Sequence, residues 1–164
     1  MVNHMSSIDH SDIWKILEAV PDPEIPALSV VDMGIVRAAE WEGDALIVSI
    51  TPTYSGCPAM ALIERDIVRA FAASGVKASV RRILSPAWTT GSLSEQGRRK
   101  LHASGIAPPG PVTTGHESLL RPNVACPLCG SGDTEVVSEF GSTPCKSLFR
   151  CRSCGSPFDY FKPL

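Results

Sequence analysis

An α+β (mixed α/β) domain followed by a small β-ribbon closed by four cysteines is the fold class this sequence predicts. Three observations predict it. Apolar stripes at helical spacing alternate with short strand patterns in the first part of the chain. A stretch rich in proline and glycine, from Ile106 to Asn123, then interrupts all periodicity. Beyond it stand two CxxC pairs with 21 residues between them.

The elements follow in order. Ile13, Ile16, Leu17 and Val20 recur on one helical face, and Pro21 stops the pattern. Asp22-Pro23-Glu24-Ile25-Pro26 is expected as an extended loop, since two prolines three apart exclude helix and ladder alike. Strands are expected at Ile35–Trp41 and Ala45–Ile50, with Glu42-Gly43-Asp44 as a tight hairpin turn. The second is apolar on both faces, which places it centrally in a sheet.

A strong amphipathic helix carries Met60, Ile63, Ile67 and Phe71 on one stripe and ends at Gly75 as a left-handed cap. Val76, Ala78 and Val80 alternate with polar residues as a half-buried strand. Ser92-Leu93-Ser94-Glu95 fits a capping box that opens a short basic helix ending near Gly105. The domain reading is therefore 8–105, a linker at 106–123 and a ribbon at 124–164.

Composition narrows the function. The 164 residues are 43% apolar, enough for a packed core, and carry a net charge of −2. From Val124 onward, Lys146, Arg150, Arg152 and Lys162 balance Asp133, Glu135, Glu139 and Asp159. Neither whole chain nor ribbon has the basic surface that nucleic acid or an anionic membrane selects. No apolar run approaches a membrane span, and the opening residues lack a secretory pattern. A cytoplasmic location is expected, where clustered cysteines serve as ligands or reactive thiols rather than disulfides.

Cys126-Pro127-Leu128-Cys129 and Cys151-Arg152-Ser153-Cys154 are each followed by glycine, Gly130 and Gly155. The glycines suit tight turns that aim backbone amides at sulfur. Four thiolates close a tetrahedral shell with no open position, the pattern of structural zinc. Iron or an iron–sulfur cluster is the alternative such a set also accepts. A unit this small buries too little apolar surface to fold unaided, so metal binding contributes the missing free energy. Cys145 has two readings, a small buried apolar residue or a thiol activated by neighbouring Lys146.

Cys57 lies between Gly56 and Pro58. Proline at the first helical position would make Cys57 the N-cap, with a thiol pKa lowered by free amides and the helix dipole. That property serves a nucleophile or a metal ligand, although a cap that happens to be cysteine reads equally well. The four histidines are scattered, no phosphate-binding glycine loop is present, and Ser55 lacks the frame of a nucleophile elbow. No complete catalytic constellation is legible, so the chain is not expected to be an enzyme.

The run Asp22–Pro26, then Asp32-Met33-Gly34, then Thr51-Pro52-Thr53-Tyr54-Ser55-Gly56-Cys57-Pro58 resembles the MIP18-type domain, also called domain of unknown function 59. Eukaryotic and bacterial iron–sulfur assembly factors share that domain. Ser85-Pro86-Ala87-Trp88-Thr89-Thr90, the 94–100 segment, Gly141–Lys146, both CxxC pairs and Phe158–Lys162 extend the likeness to nearly the whole chain. With them the chain resembles the family of D subunits, the small accessory components, of phenylacetyl-CoA epoxidase systems in aerobic phenylacetate degradation.

The resemblance implies a MIP18-like domain with a C-terminal zinc ribbon and a non-catalytic role in maturing a multicomponent oxygenase. It implies structural zinc at Cys126, Cys129, Cys151 and Cys154, and transient iron or an iron–sulfur cluster as cargo. The family's motif cysteine maps onto Cys57, Cys145 also matches, and Asp22, Glu24, Thr51, Thr53 and Gly56 form the motif loop. Expected partners are the oxygenase or reductase subunits of the epoxidase, with self-association also compatible. The competing reading is a structural adaptor that docks the oxygenase through the ribbon and never handles metal.

Overall fold

The structure is a computed structural model, and it describes residues 8–54, 56–110 and 124–163. These divide between Trp88 and Thr89 into two compact units.

The first unit begins with α1 (His10–Glu18), capped by Asp9, whose carboxylate accepts the Asp12 amide at 2.8 Å. Ile13 and Leu17 form its buried stripe. The Asp22–Pro26 segment is compact rather than extended. Asp22 Oδ1 accepts the amides of both Glu24 and Ile25, and the Asp22 amide donates to Leu28 O at 2.7 Å. A side chain that bonds its own backbone two and three residues on is a turn device, and it folds the proline loop back on itself.

β1 (Val36–Glu42) and β2 (Ala45–Ile50) form the expected hairpin, turned by Gly43 at φ +65°. The chain then passes through α2 (Met60–Ala73) to β3 (Ala78–Arg82), which pairs parallel with β2. The sheet order β1-β2-β3 puts β2 in the centre, as its apolar run predicts. Leu46, Val48 and Ile50 are buried, and Met60, Ile63, Ile67 and Phe71 form the buried face of α2. α2 ends in a Schellman motif: the Gly75 amide bonds Ala72 O and the Val76 amide bonds Phe71 O, both at 3.0 Å.

The second unit holds α3 (Glu95–Ala103), β4 (Ile106–Ala107), β5 (Thr134–Ser138), β6 (Lys146–Cys151) and β7 (Pro157–Phe161). The cap of α3 is Ser94, bonded to the Gly97 amide at 2.8 Å, rather than Ser92, because Thr90–Ser92 form a 3₁₀ turn. Sheet order is β4-β7-β6-β5, with β4 parallel to β7 and the other pairs antiparallel. Ile106 and Ala107, the first residues of the segment read as linker, are thus a strand facing Asp159 and Tyr160. Residues 111–123 of that segment lie outside the described residues. The ribbon core is small, comprising Ala107, Val124, Cys126, Phe149, Cys151, Phe158 and Tyr160.

Candidate metal centre and thiol loop

The two CxxC turns are built alike. The Gly130 amide bonds Cys126 O at 2.8 Å and the Cys126 amide bonds Ser131 O at 2.8 Å. In the second turn the Gly155 amide bonds Cys151 O and the Cys151 amide bonds Ser156 O, each at 2.9 Å. Gly130 at φ +77° and Gly155 at φ +79° hold left-handed backbone that other residues adopt only with strain.

The sulfurs of Cys126, Cys129, Cys151 and Cys154 all lie within 4.8 Å of one another. Cys126 and Cys154 are 3.9 Å apart, and Cys129 and Cys151 are 3.5 Å apart. A tetrahedral shell with metal–sulfur bonds of about 2.3 Å has edges of about 3.8 Å, so the four fit such a metal. Electrostatics agrees. The Ser156 hydroxyl and amide draw the Cys154 thiol down to about 6, with small help from its neighbours. Ser131's amide acts the same way on Cys129, yet the adjoining sulfurs, Cys151 first, push that thiol up to about 12. Four sulfurs this close cannot all ionise alone, and a divalent cation supplies the charge that lets them.

Ser131 and Ser156 escaped the sequence reading. Their signal was present, since both turns read C-x-x-C-G-S.

Cys145 is outside this cluster. It is buried, its sulfur is 3.0 Å from Thr143 Oγ1, and its carbonyl accepts the Lys162 amide. Lys146 is buried too, and its ammonium is paired with Asp159 at 3.1 Å.

The thiol loop of the first unit departs from expectation in two ways. Cys57 is not the N-cap of α2. The helix is capped at Ala59, without any side-chain bond, because residues 57–59 form a separate turn in which Cys57 O accepts the Met60 amide at 3.3 Å. The thiol pKa is raised, not lowered. Burial is the largest cause; the Ala59 amide and Thr53 hydroxyl oppose it, and the charges of Glu24 and Asp22 add to it.

The loop therefore brings Cys57, Thr53, Glu24 and Asp22 into one electrostatic neighbourhood. Gly56 turns it at φ +85°. Thr51 stands apart, buried at the end of β2, where its hydroxyl accepts Arg37 Nε at 3.2 Å. Asp32 bonds the amide and hydroxyl of Ser29, and Trp88 donates to Met33 O at 2.8 Å. These latter motif residues hold the scaffold. Among the described residues, the ribbon cysteines are the one set of three or more ligand atoms gathered closely enough for a metal ion, so Cys57 does not belong to such a set. No helix among those residues is long and apolar enough to cross a membrane.

A thiol-bearing α+β domain followed by a four-thiol ribbon defines a class, and the matches agree with it. Residues 10–81 match the family described as iron–sulfur cluster assembly protein, and residues 110–162 match the PaaD zinc beta ribbon domain. The chain is 45% identical to the D component of the 1,2-phenylacetyl-CoA epoxidase of Escherichia coli (strain K12) over 154 residues, covering 92% of this chain and 91% of that one. It belongs to that family of epoxidase D components. An Fe-S protein maturation auxiliary factor of Porphyromonas gingivalis (strain ATCC BAA-308 / W83) is 31% identical over 93 residues, 55% of this chain and 88% of that one. The crystal structure of a domain of unknown function 59 from Bacillus anthracis shares the fold, with TM-score 0.51 and 24% identity over 56% of this chain and 89% of that one.

Proposed function

We propose that this chain is a non-catalytic, cytoplasmic accessory factor of a phenylacetyl-CoA epoxidase system that carries iron or an iron–sulfur cluster in transit on Cys57. Zinc closes the ribbon at Cys126, Cys129, Cys151 and Cys154. The observation that carries the reading is the neighbourhood of Cys57: one thiol with a hydroxyl and two carboxylates acting on it. Two negative charges that disfavour a thiolate also favour an arriving cation. The thiol thus keeps its proton, and resists oxidation, until iron displaces that proton. Of the two carboxylates, Glu24 acts on the thiol more strongly. One thiol cannot complete a metal's coordination, so the remaining ligands come from the protein that delivers or receives the cargo. That suits transfer rather than storage.

The adaptor reading keeps one observation in its favour. The ribbon exposes Leu128, Val136, Val137 and Phe140, a set of large apolar side chains available to the oxygenase or reductase subunits. Docking and metal handling are compatible, and the ribbon is assigned to docking in both readings. The test is to produce the oxygenase with and without this chain and measure its iron. Oxygenase made alone should be iron-poor and inactive, and restored by co-production. Fully metallated oxygenase made without the chain would overturn the proposal.

A further inference from the structure

We infer that the open edge of β3, with the groove between it and α2, docks an extended acidic segment of a partner protein, which joins the sheet as an added strand. β3 is the last strand in the order β1-β2-β3. The Leu46 amide bonds Lys77 O at 2.9 Å, and the Ile83 amide bonds Ile50 O at 2.8 Å. A parallel ladder uses every second residue, so residues 77, 79, 81 and 83 face β2. The backbone groups of Ala78, Val80 and Arg82 therefore point to the open side, where no strand pairs with them among the described residues.

A groove of about 470 Å³ runs along that edge. Ala78 and Val80 line it from the strand, and Ala61 and the exposed Val68 from α2. Arg82 is paired with Glu64 of α2, which puts the side chains of Ala78, Val80 and Arg82 on the helix side of the sheet. The groove is thus a strand edge with a helix beside it, the arrangement in which peptide-binding domains take up an extended chain.

Two features specify the occupant. Backbone donors and acceptors that recur at every second residue are matched only by another extended backbone. The charge is set by α2. Arg65 and Arg69, one turn apart, both line the groove. Arg65 is shared with Asp66 at 3.0 Å, whereas Arg69 has no hydrogen bond or ion pair among the described residues. Glu64 lines the groove too, but Arg82 holds it. An acidic side chain on the helix side of the added strand meets Arg69, and a lysine there is repelled. A second copy of β3 fits poorly, because it brings its own Arg81 and Arg82 to the same wall. The site is separate from the ribbon and does not depend on what Cys57 carries.

The experiment titrates the full-length, metal-loaded, isotope-labelled chain with three end-blocked peptides long enough to span β3. In them valine alternates with glutamate, with lysine or with serine. The glutamate peptide should shift the amide signals of Ala78, Val80 and Arg82, slow hydrogen exchange at Ala78 and Val80, and bind more weakly as salt rises. Arg69→Glu, a surface change, should cost the glutamate peptide on the order of tenfold in affinity and turn the preference towards the lysine peptide. A glutamate peptide that leaves the β3 amides unmoved, or binds no better than the other two, overturns the inference. So does a free chain that is already a dimer with the Ala78 and Val80 amides protected, since a second copy then holds the edge.

Discussion

Stripping the ribbon metal with a chelator under reducing conditions should unfold the C-terminal ribbon and leave the first unit folded. The magnitude follows from the size of the core. Apart from its two cysteines it has Ala107, Val124, Phe149, Phe158 and Tyr160, and burying these contributes roughly 10 kcal/mol. A four-cysteine metal site contributes about 10–16 kcal/mol, so its removal takes away half or more of what opposes chain entropy. The assay must report each unit separately. Trp14, Trp41 and Trp88 all lie in the first unit, so tryptophan emission should not change. Phe149 and Tyr160, by contrast, should lose their dispersed NMR signals. Trypsin supplies a second probe, since Lys146 is buried within β6 and is cleaved only when the ribbon opens. Metal-free protein with dispersed ribbon signals and an uncut Lys146 would refute the reasoning.

Two further outcomes follow from the same geometry. Because burial and the charges of Glu24 and Asp22 raise the Cys57 pKa, its alkylation should accelerate only above the ordinary thiol range, and Glu24→Gln should shift the pH profile downward; an upward or absent shift, read by mass spectrometry, contradicts the placement of Glu24. A Cβ on Gly141 would stand 2.9 Å from Asp159 Oδ1 and 3.3 Å from Lys146 Cβ, against the half-buried Lys146–Asp159 ion pair. Gly141→Ala should therefore destabilise the metal-loaded ribbon by about 1–3 kcal/mol in chemical denaturation, and a neutral effect would show that the pair moves aside freely.

What was legible in the sequence was what is local. The Gly43 turn, the Gly75 cap and the two C-x-x-C-G turns are each fixed by residues within a few positions, and each stands where expected. β4 was illegible because two residues in a proline-rich segment become a strand only by pairing with β7, some fifty residues on. The environment of Cys57 was illegible for the same reason. Reading outward from Pro58 gave a helix cap and a lowered pKa, whereas the raised pKa depends on burial and on carboxylates from a loop before β1. Asp22 was legible only as a member of the motif loop, whereas its carboxylate accepts the turn amides of Glu24 and Ile25 in that loop. Local spacing names a thiol, and only the tertiary neighbourhood sets its charge.

The central claim, that Cys57 handles iron in transit, is tested most directly by Cys57→Ser. A serine hydroxyl can accept the Ala59 amide as the sulfur does, so the fold should survive to within about 1 kcal/mol, checked by thermal denaturation. The hydroxyl keeps its proton at neutral pH and binds iron poorly. The measurement is the iron content and activity of epoxidase co-produced with either wild-type or Cys57→Ser chain. The account predicts iron-poor, inactive epoxidase from the Cys57→Ser background, and fully metallated, active epoxidase from that background would contradict it.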